Sequence, residues 1–115
     1  MELVVHVYDM TRFFPREELY GLTNQIRRAA VSIPSNISEG AARHSEKEFV
    51  QYLHIALGSA AELETQLIIA KKLNYIADDN NVHDEITLVM KMINGLIRHY
   101  KNKTVARRLD SGERA

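Results

Sequence analysis

The 115-residue chain has no cysteine, which excludes disulfide scaffolds, thiol catalysis and cysteine-ligated zinc together. It has no tryptophan, two prolines and five glycines, too little material for a turn-rich all-β fold. It has no excess of charge of either sign: 15 Lys and Arg balance 15 Asp and Glu, so the molecule as a whole is not a polycation that coats nucleic acid. Long apolar runs are missing too. Stretches such as Leu3-Val4-Val5 and Leu67-Ile68-Ile69-Ala70 fall far short of the roughly 18 residues a membrane span needs. Met1-Glu2 opens no basic, then apolar, secretory leader, and the expectation is a cytoplasmic protein. What is present is ordinary globular composition, 45% apolar and 26% charged, at a length suited to one compact unit.

Apolar residues recur at helical spacing in four successive segments. Leu3, Val7, Met10 and Phe14 follow steps of 4, 3 and 4. Leu22, Ile26, Ala29, Ile33 and Ile37 form the second seam. Phe49, Leu53, Ala56, Ala60, Leu63, Leu67 and Ala70 alternate strictly between steps of 4 and 3, and Ile86, Met90, Ile93, Ile97 and Tyr100 repeat that alternation. Each set lines one face of a helix. Leu3 to Val7 is β-branched enough for a strand, but the chain offers no second strand to pair with it.

The punctuation agrees. Pro15 cannot continue the first helix, and Glu17 and Glu18 suit a following first turn. Thr23 reads as the N-cap of the second helix, and Ser45 with Glu48 reads as a capping box for the third. The Asp78-Asp79-Asn80-Asn81 cluster reads as a loop that caps the fourth. These signals predict helices near 2–14, 22–43, 45–74 and 79–103. Short connections make neighbours antiparallel, giving an all-α, up-down-up-down four-helix bundle over 1–103, followed by a basic, disordered tail over 104–115. Pro34 inside the second helix removes one backbone donor and predicts a kink near Ala30–Pro34. Ser32, Ser35, Ser38, Asn36 and Glu39 flank it and are suited to satisfying freed backbone groups. The first helix, at roughly 20 Å against about 40 Å for the next two, predicts a seam partly uncovered by this chain alone.

Charge is uneven along the chain. Residues 76–90 carry Asp78, Asp79, Asp84 and Glu85 and no Lys or Arg, whereas residues 91–115 carry seven Lys or Arg against Asp110 and Glu113. The end around Lys101, Lys103, Arg107 and Arg108 reads either as an anionic contact or as a solvated tail with favourable helix-end cations. Arg27 and Arg28 lie beside the second seam. They read either as phosphate contacts or bridges between protomers, or as internal partners for Glu39, Glu62 or Glu64. Ile55, Ile68 and Ile69 read as standing on the face opposite the third seam, with a small-residue run of Ala56, Gly58, Ser59, Ala60 and Ala61 in the middle of the helix, and together they read as a self-association surface.

Catalytic and metal signals are sparse. No Glu has a His three residues later, as a bundle di-iron site requires. His44 and Glu48 lie four apart and, with His54, give the strongest candidate for a metal carrier or enzyme. His6, His83 and His99 fall on separate segments, and no phosphate loop or nucleophile motif occurs. The expectation is no catalytic residue, no metal site and no cofactor.

The run Tyr20 to Gly40, followed by Ser45-Glu46-Lys47-Glu48-Phe49 and Ile55 to Glu64, resembles the bacterial four-helix-bundle proteins of the S23 type. These were first recognised as products of intervening sequences in large-subunit ribosomal RNA genes. The resemblance covers residues 2 to about 100, with Phe14-Pro15 and Glu18 in register. It implies a four-helix protomer, a homopentameric barrel and no catalytic activity. A similar protein is the accessory subunit of diversity-generating retroelements, which implies a reverse transcriptase as partner and nucleic-acid contacts through basic residues. Family members usually carry further residues ahead of Glu2-Leu3-Val4, including a tryptophan-containing half of the first helix, so the expectation is either a misassigned start or a truncated copy whose bundle is less fully covered. The functional expectation is a self-associating, non-enzymatic bundle touching RNA or DNA through Arg12, Arg16, Arg27, Arg28, Arg43, Lys101, Lys103, Arg107 and Arg108. The alternative is a structural adaptor for another protein that binds no nucleic acid.

Overall fold

The structure, a computed structural model, describes residues 1–77, 81–110 and 112. It contains α1 (Glu2–Thr11), a single 3-10 turn (Arg16–Glu18), α2 (Leu22–Ala41), α3 (Glu46–Lys72) and α4 (Val82–Asp110), and no strand among the described residues. α1 packs on α2 and α4, and α3 packs on α2 and α4, so the helices form a ring of four neighbours in a body of 59 × 24 × 21 Å. No helix among the described residues is long and apolar enough to cross a membrane.

The predicted seams build the core. Leu3, Val7, Ile26, Ala29, Ile33, Leu53, Ala56, Ala60, Leu63, Leu67, Ala70, Ile86, Ile93 and Ile97 are all buried. Leu22, Ile37, Phe49 and Met90 are only partly buried against them. α1 has 10 residues against 29 in α4, about 15 Å against about 43 Å, so one end of the ring is three helices wide. Phe14, expected at the end of the first helix, lies in the connection but still reaches the core, packing on Tyr75 with ring centroids 5.4 Å apart.

Several boundaries differ from the sequence reading. Ser45 caps α3 as expected, its Oγ accepting from the Glu48 amide at 3.1 Å. Thr23 does not cap α2: Gly21 holds that position, and Thr23, two residues on, is buried. The expected loop and cap at Asp78-Asp79-Asn80, and the expected start of helix four at 79, fall outside the described residues. The tail expectation is corrected for 104–110: α4 continues through Asp110, because Arg107 binds Glu46 and ties the last turns to α3. Residues 111 and 113–115 lie outside the described residues. α2 runs through Pro34. There Asn36, not the serines alone, serves the backbone: its Nδ2 donates to the Ser32 carbonyl at 2.7 Å and to Ser32 Oγ at 2.9 Å. Ser32 in turn bridges to Ser59 of α3, the two hydroxyl oxygens 2.8 Å apart.

Candidate nucleic-acid interface

Eight of the nine cations nominated from sequence separate into two groups toward opposite ends of α3, and the ninth, Arg28, lies between them beside Ser59 and Glu62. Tyr75, just past its C-terminus, donates to Glu18 Oε2 at 3.0 Å beside the α1–α2 connection. Glu46, in its first turn, meets α4. With 27 residues between those turns, the two ends stand about 40 Å apart.

At the far end the cations already hold acids. Glu46 accepts from Arg107 at 2.8 Å and lies 3.1 Å from the Lys103 ammonium. The Lys103 hydrogen bond, reinforced by the charge of Arg107, holds the Glu46 carboxyl below its usual range, against an opposing push from desolvation. Arg43 donates to Tyr52 Oη at 2.6 Å and to Glu39 at 2.7 Å. The Tyr52 oxygen first and Glu39 after it raise its affinity for its proton. Lys101 makes no ion pair among the described residues. Arg108 lies in the last turns of the same helix.

The near end is built differently. Arg12, Arg16 and Arg27 line one open cleft of about 230 Å³ where α1, the 3-10 turn and α2 meet. Arg27 donates from Nε to Thr11 Oγ1 at 2.9 Å, and its guanidinium lies 4.7 Å from the centre of the Tyr8 ring. Thr11 itself donates to the Val7 carbonyl at 2.8 Å, so α1 fixes the arginine by a two-step chain. Arg12 pairs with Asp9 at 2.8 Å in solvent, an attraction worth little when exposed. Arg16 makes no ion pair among the described residues. No carboxylate among the described residues lines the cleft. Thr23 does line it, and its buried hydroxyl has no hydrogen-bond partner.

The pairing of Arg27 and Arg28 with Glu39, Glu62 or Glu64 is corrected. Arg27 turns to Thr11 and Tyr8, and Glu39 is taken by Arg43. Arg28 is exposed, in a groove between α2 and α3 that it shares with Glu62 but without an ion pair among the described residues. Adjacent helical residues point about 100° apart, which is why only one arginine of the pair meets α1.

Ile55, Ile68 and Ile69 are all exposed. At 100° per residue, Ile55 and Ile69 lie about 40° apart, whereas Ile68 stands about 140° from Ile55. The three therefore do not make one face. The sequence reading missed a better stripe: Leu88, Met92 and Leu96 of α4, exposed by 60, 62 and 38%. Their spacing of four beside the fourth seam was the available signal. Gly95 lies within that stripe, with open space where a Cβ would stand. Of the groups weighed for metal, no three His, Asp or Glu come together to hold an ion among the described residues.

The family model for the 23S rRNA-intervening sequence protein matches residues 1–95. The chain is similar to a crystal structure from Bacteroides thetaiotaomicron VPI-5482, a protein with unknown function from the S23 ribosomal protein family. That likeness has 27% identity, covers 84% of this chain and 92% of the other, and has a TM-score of 0.77. No curated protein matches.

Proposed function

Because the chain belongs to the 23S rRNA-intervening sequence protein family, we propose that it is a non-enzymatic, self-associating bundle that binds RNA or DNA through basic surface residues. The observation that carries this reading is the gathering of Arg12, Arg16 and Arg27 around one cleft that no carboxylate among the described residues lines. Arg16 has no ion pair there among the described residues, and the Asp9 pair of Arg12 is solvent-exposed and weak, so phosphate is a natural counter-ion for the cluster.

Self-association is supported by the stripe Leu88, Met92 and Leu96 on α4, and separately by the exposed Ile55 and Ile69 on α3. The fold spends its seams on its own core and leaves these side chains in water, where burial against another copy is favourable. Five copies is the stoichiometry carried over from the family resemblance. The same stripe also suits a different protein, a reverse transcriptase being the partner the resemblance implies, and that is the adaptor reading.

Sedimentation at micromolar concentration and a low-salt mobility shift test the two halves separately. An oligomer that retards an RNA or DNA oligonucleotide is expected. A monomer overturns the assembly half, and an unshifted oligonucleotide at low salt overturns the nucleic-acid half, since phosphate contacts are strongest there.

A further inference from the structure

The connection between α1 and α2 leaves two aromatic side chains almost wholly in water, Phe13 at 82% and Tyr20 at 91% exposure. Neither contributes to the core, although Phe14 beside them is buried there. The same connection supplies Arg12 and Arg16 to the cleft, with Arg27 opposite them on α2. Exposed rings interleaved with cations make a surface on which bases stack while phosphates are neutralised.

We propose that this corner binds single-stranded nucleic acid, with one backbone phosphate in the cleft and neighbouring bases stacked on Phe13 and Tyr20. The inference rests on the nucleic-acid reading above and gives it a place and a strand form.

The cleft fits an oxyanion on three counts. Arg27 spends Nε on Thr11, which sets the plane of the guanidinium and leaves its Nη pair for a bidentate contact. Arg16 has no competing ion pair among the described residues, and the Asp9 pair of Arg12 is solvent-exposed and readily exchanged for phosphate. Thr23 brings a buried hydroxyl without a partner. Of the two acids in the turn, Glu18 is engaged by the Tyr75 hydroxyl and by the Leu22 amide at 3.5 Å, and Glu17 does not line the cleft. A duplex hides its base faces inside the stack, so only an open strand can use the two rings.

The test measures anisotropy of labelled 12-mer oligothymidine, and of a 12-base-pair duplex, at low salt with the full chain. Phe13→Ala and Tyr20→Ala each weaken the single strand about fivefold or more. Arg16→Ala weakens it about threefold to tenfold and lowers the salt slope by about 0.7. Lys103→Gln/Arg107→Gln, at the other end, changes neither. All three near-end side chains are exposed, and a retained thermal transition shows that each variant folds. If the far-end variant weakens binding and Arg16→Ala does not, the site assignment is overturned while the nucleic-acid reading stands. Equal or tighter binding of the duplex, unmoved by the aromatic variants, overturns the strand form. Titration with inorganic phosphate is the second arm: an Arg16-dependent response to phosphate, with no oligonucleotide bound at any salt, makes the cleft a free-anion site and overturns both readings.

Discussion

Tyr75 donates its hydroxyl to Glu18 across 57 residues of sequence, at 3.0 Å. That bond closes the end of the bundle on which the arginine cleft is built. It raises the Tyr75 pKa, chiefly through the hydrogen bond to Glu18 and then through burial. Its stabilisation is therefore present below the ordinary tyrosine pKa and lost only as pH rises through the higher folded value. Tyr75→Phe keeps the ring on Phe14 and loses the bond. The expected result is a lower urea midpoint at neutral pH, and an unchanged midpoint would mean that the bond does not order this corner.

Two glycines should respond in opposite directions. A Cβ on Gly40 would stand 2.6 Å from Tyr52 Cβ and 2.9 Å from a Phe49 ring carbon. Gly40→Ala must therefore part α2 from α3, at about 1–3 kcal/mol, despite the better helix propensity of alanine. Gly95 has open space, and Gly95→Ala should stabilise the protomer by up to about 1 kcal/mol. Thermal or urea unfolding of the two variants reads the contrast directly.

The far-end clamp predicts a pH effect of definite sign. Glu46 is held below its ordinary carboxyl pKa by Lys103 first and Arg107 next. Its contribution is full above the unfolded carboxyl value and is lost as pH falls through the lower folded one. In an NMR titration the Glu46 carboxyl should titrate below the usual range, and Lys103→Gln should move it back up. Glu46→Gln at neutral pH should speed amide exchange in the last turns of α4 while leaving the middle of α3 protected.

Met92→Glu places a charge in the middle of the exposed α4 stripe. Met92 is 62% exposed in the protomer, so the substitution should leave protomer stability within about 0.5 kcal/mol of the parent while lowering the mass of the assembly. An unchanged mass would move the self-contact elsewhere, Ile55 and Ile69 being the next surface to alter.

Much of the fold was legible because each seam answers to one local rule, the helical period. Leu53, Ala56, Ala60 and Leu63 follow it strictly and are fully buried. The candidate site was legible only as a list of cations. Arg107 finds Glu46 from 61 positions away, and Arg27 finds Thr11 from 16. Such pairings depend on how helices stack, which no local pattern records. Thr23 illustrates the same limit: its side chain type suits a cap, but the chain enters α2 from Gly21 and turns Thr23 inward. The α4 stripe was readable in principle, since Leu88, Met92 and Leu96 keep a spacing of four, yet the stronger fourth seam beside it drew the apolar reading inward.

The most direct test of the central claim is solution mass by light scattering across a salt series, with and without a structured RNA carrying single-stranded loops. The account predicts an assembly that keeps its mass as salt rises, because its contacts are apolar, and that gains RNA mass only at low salt, because its RNA contacts are phosphates. A monomer, or an assembly indifferent to RNA at every salt concentration, would contradict it.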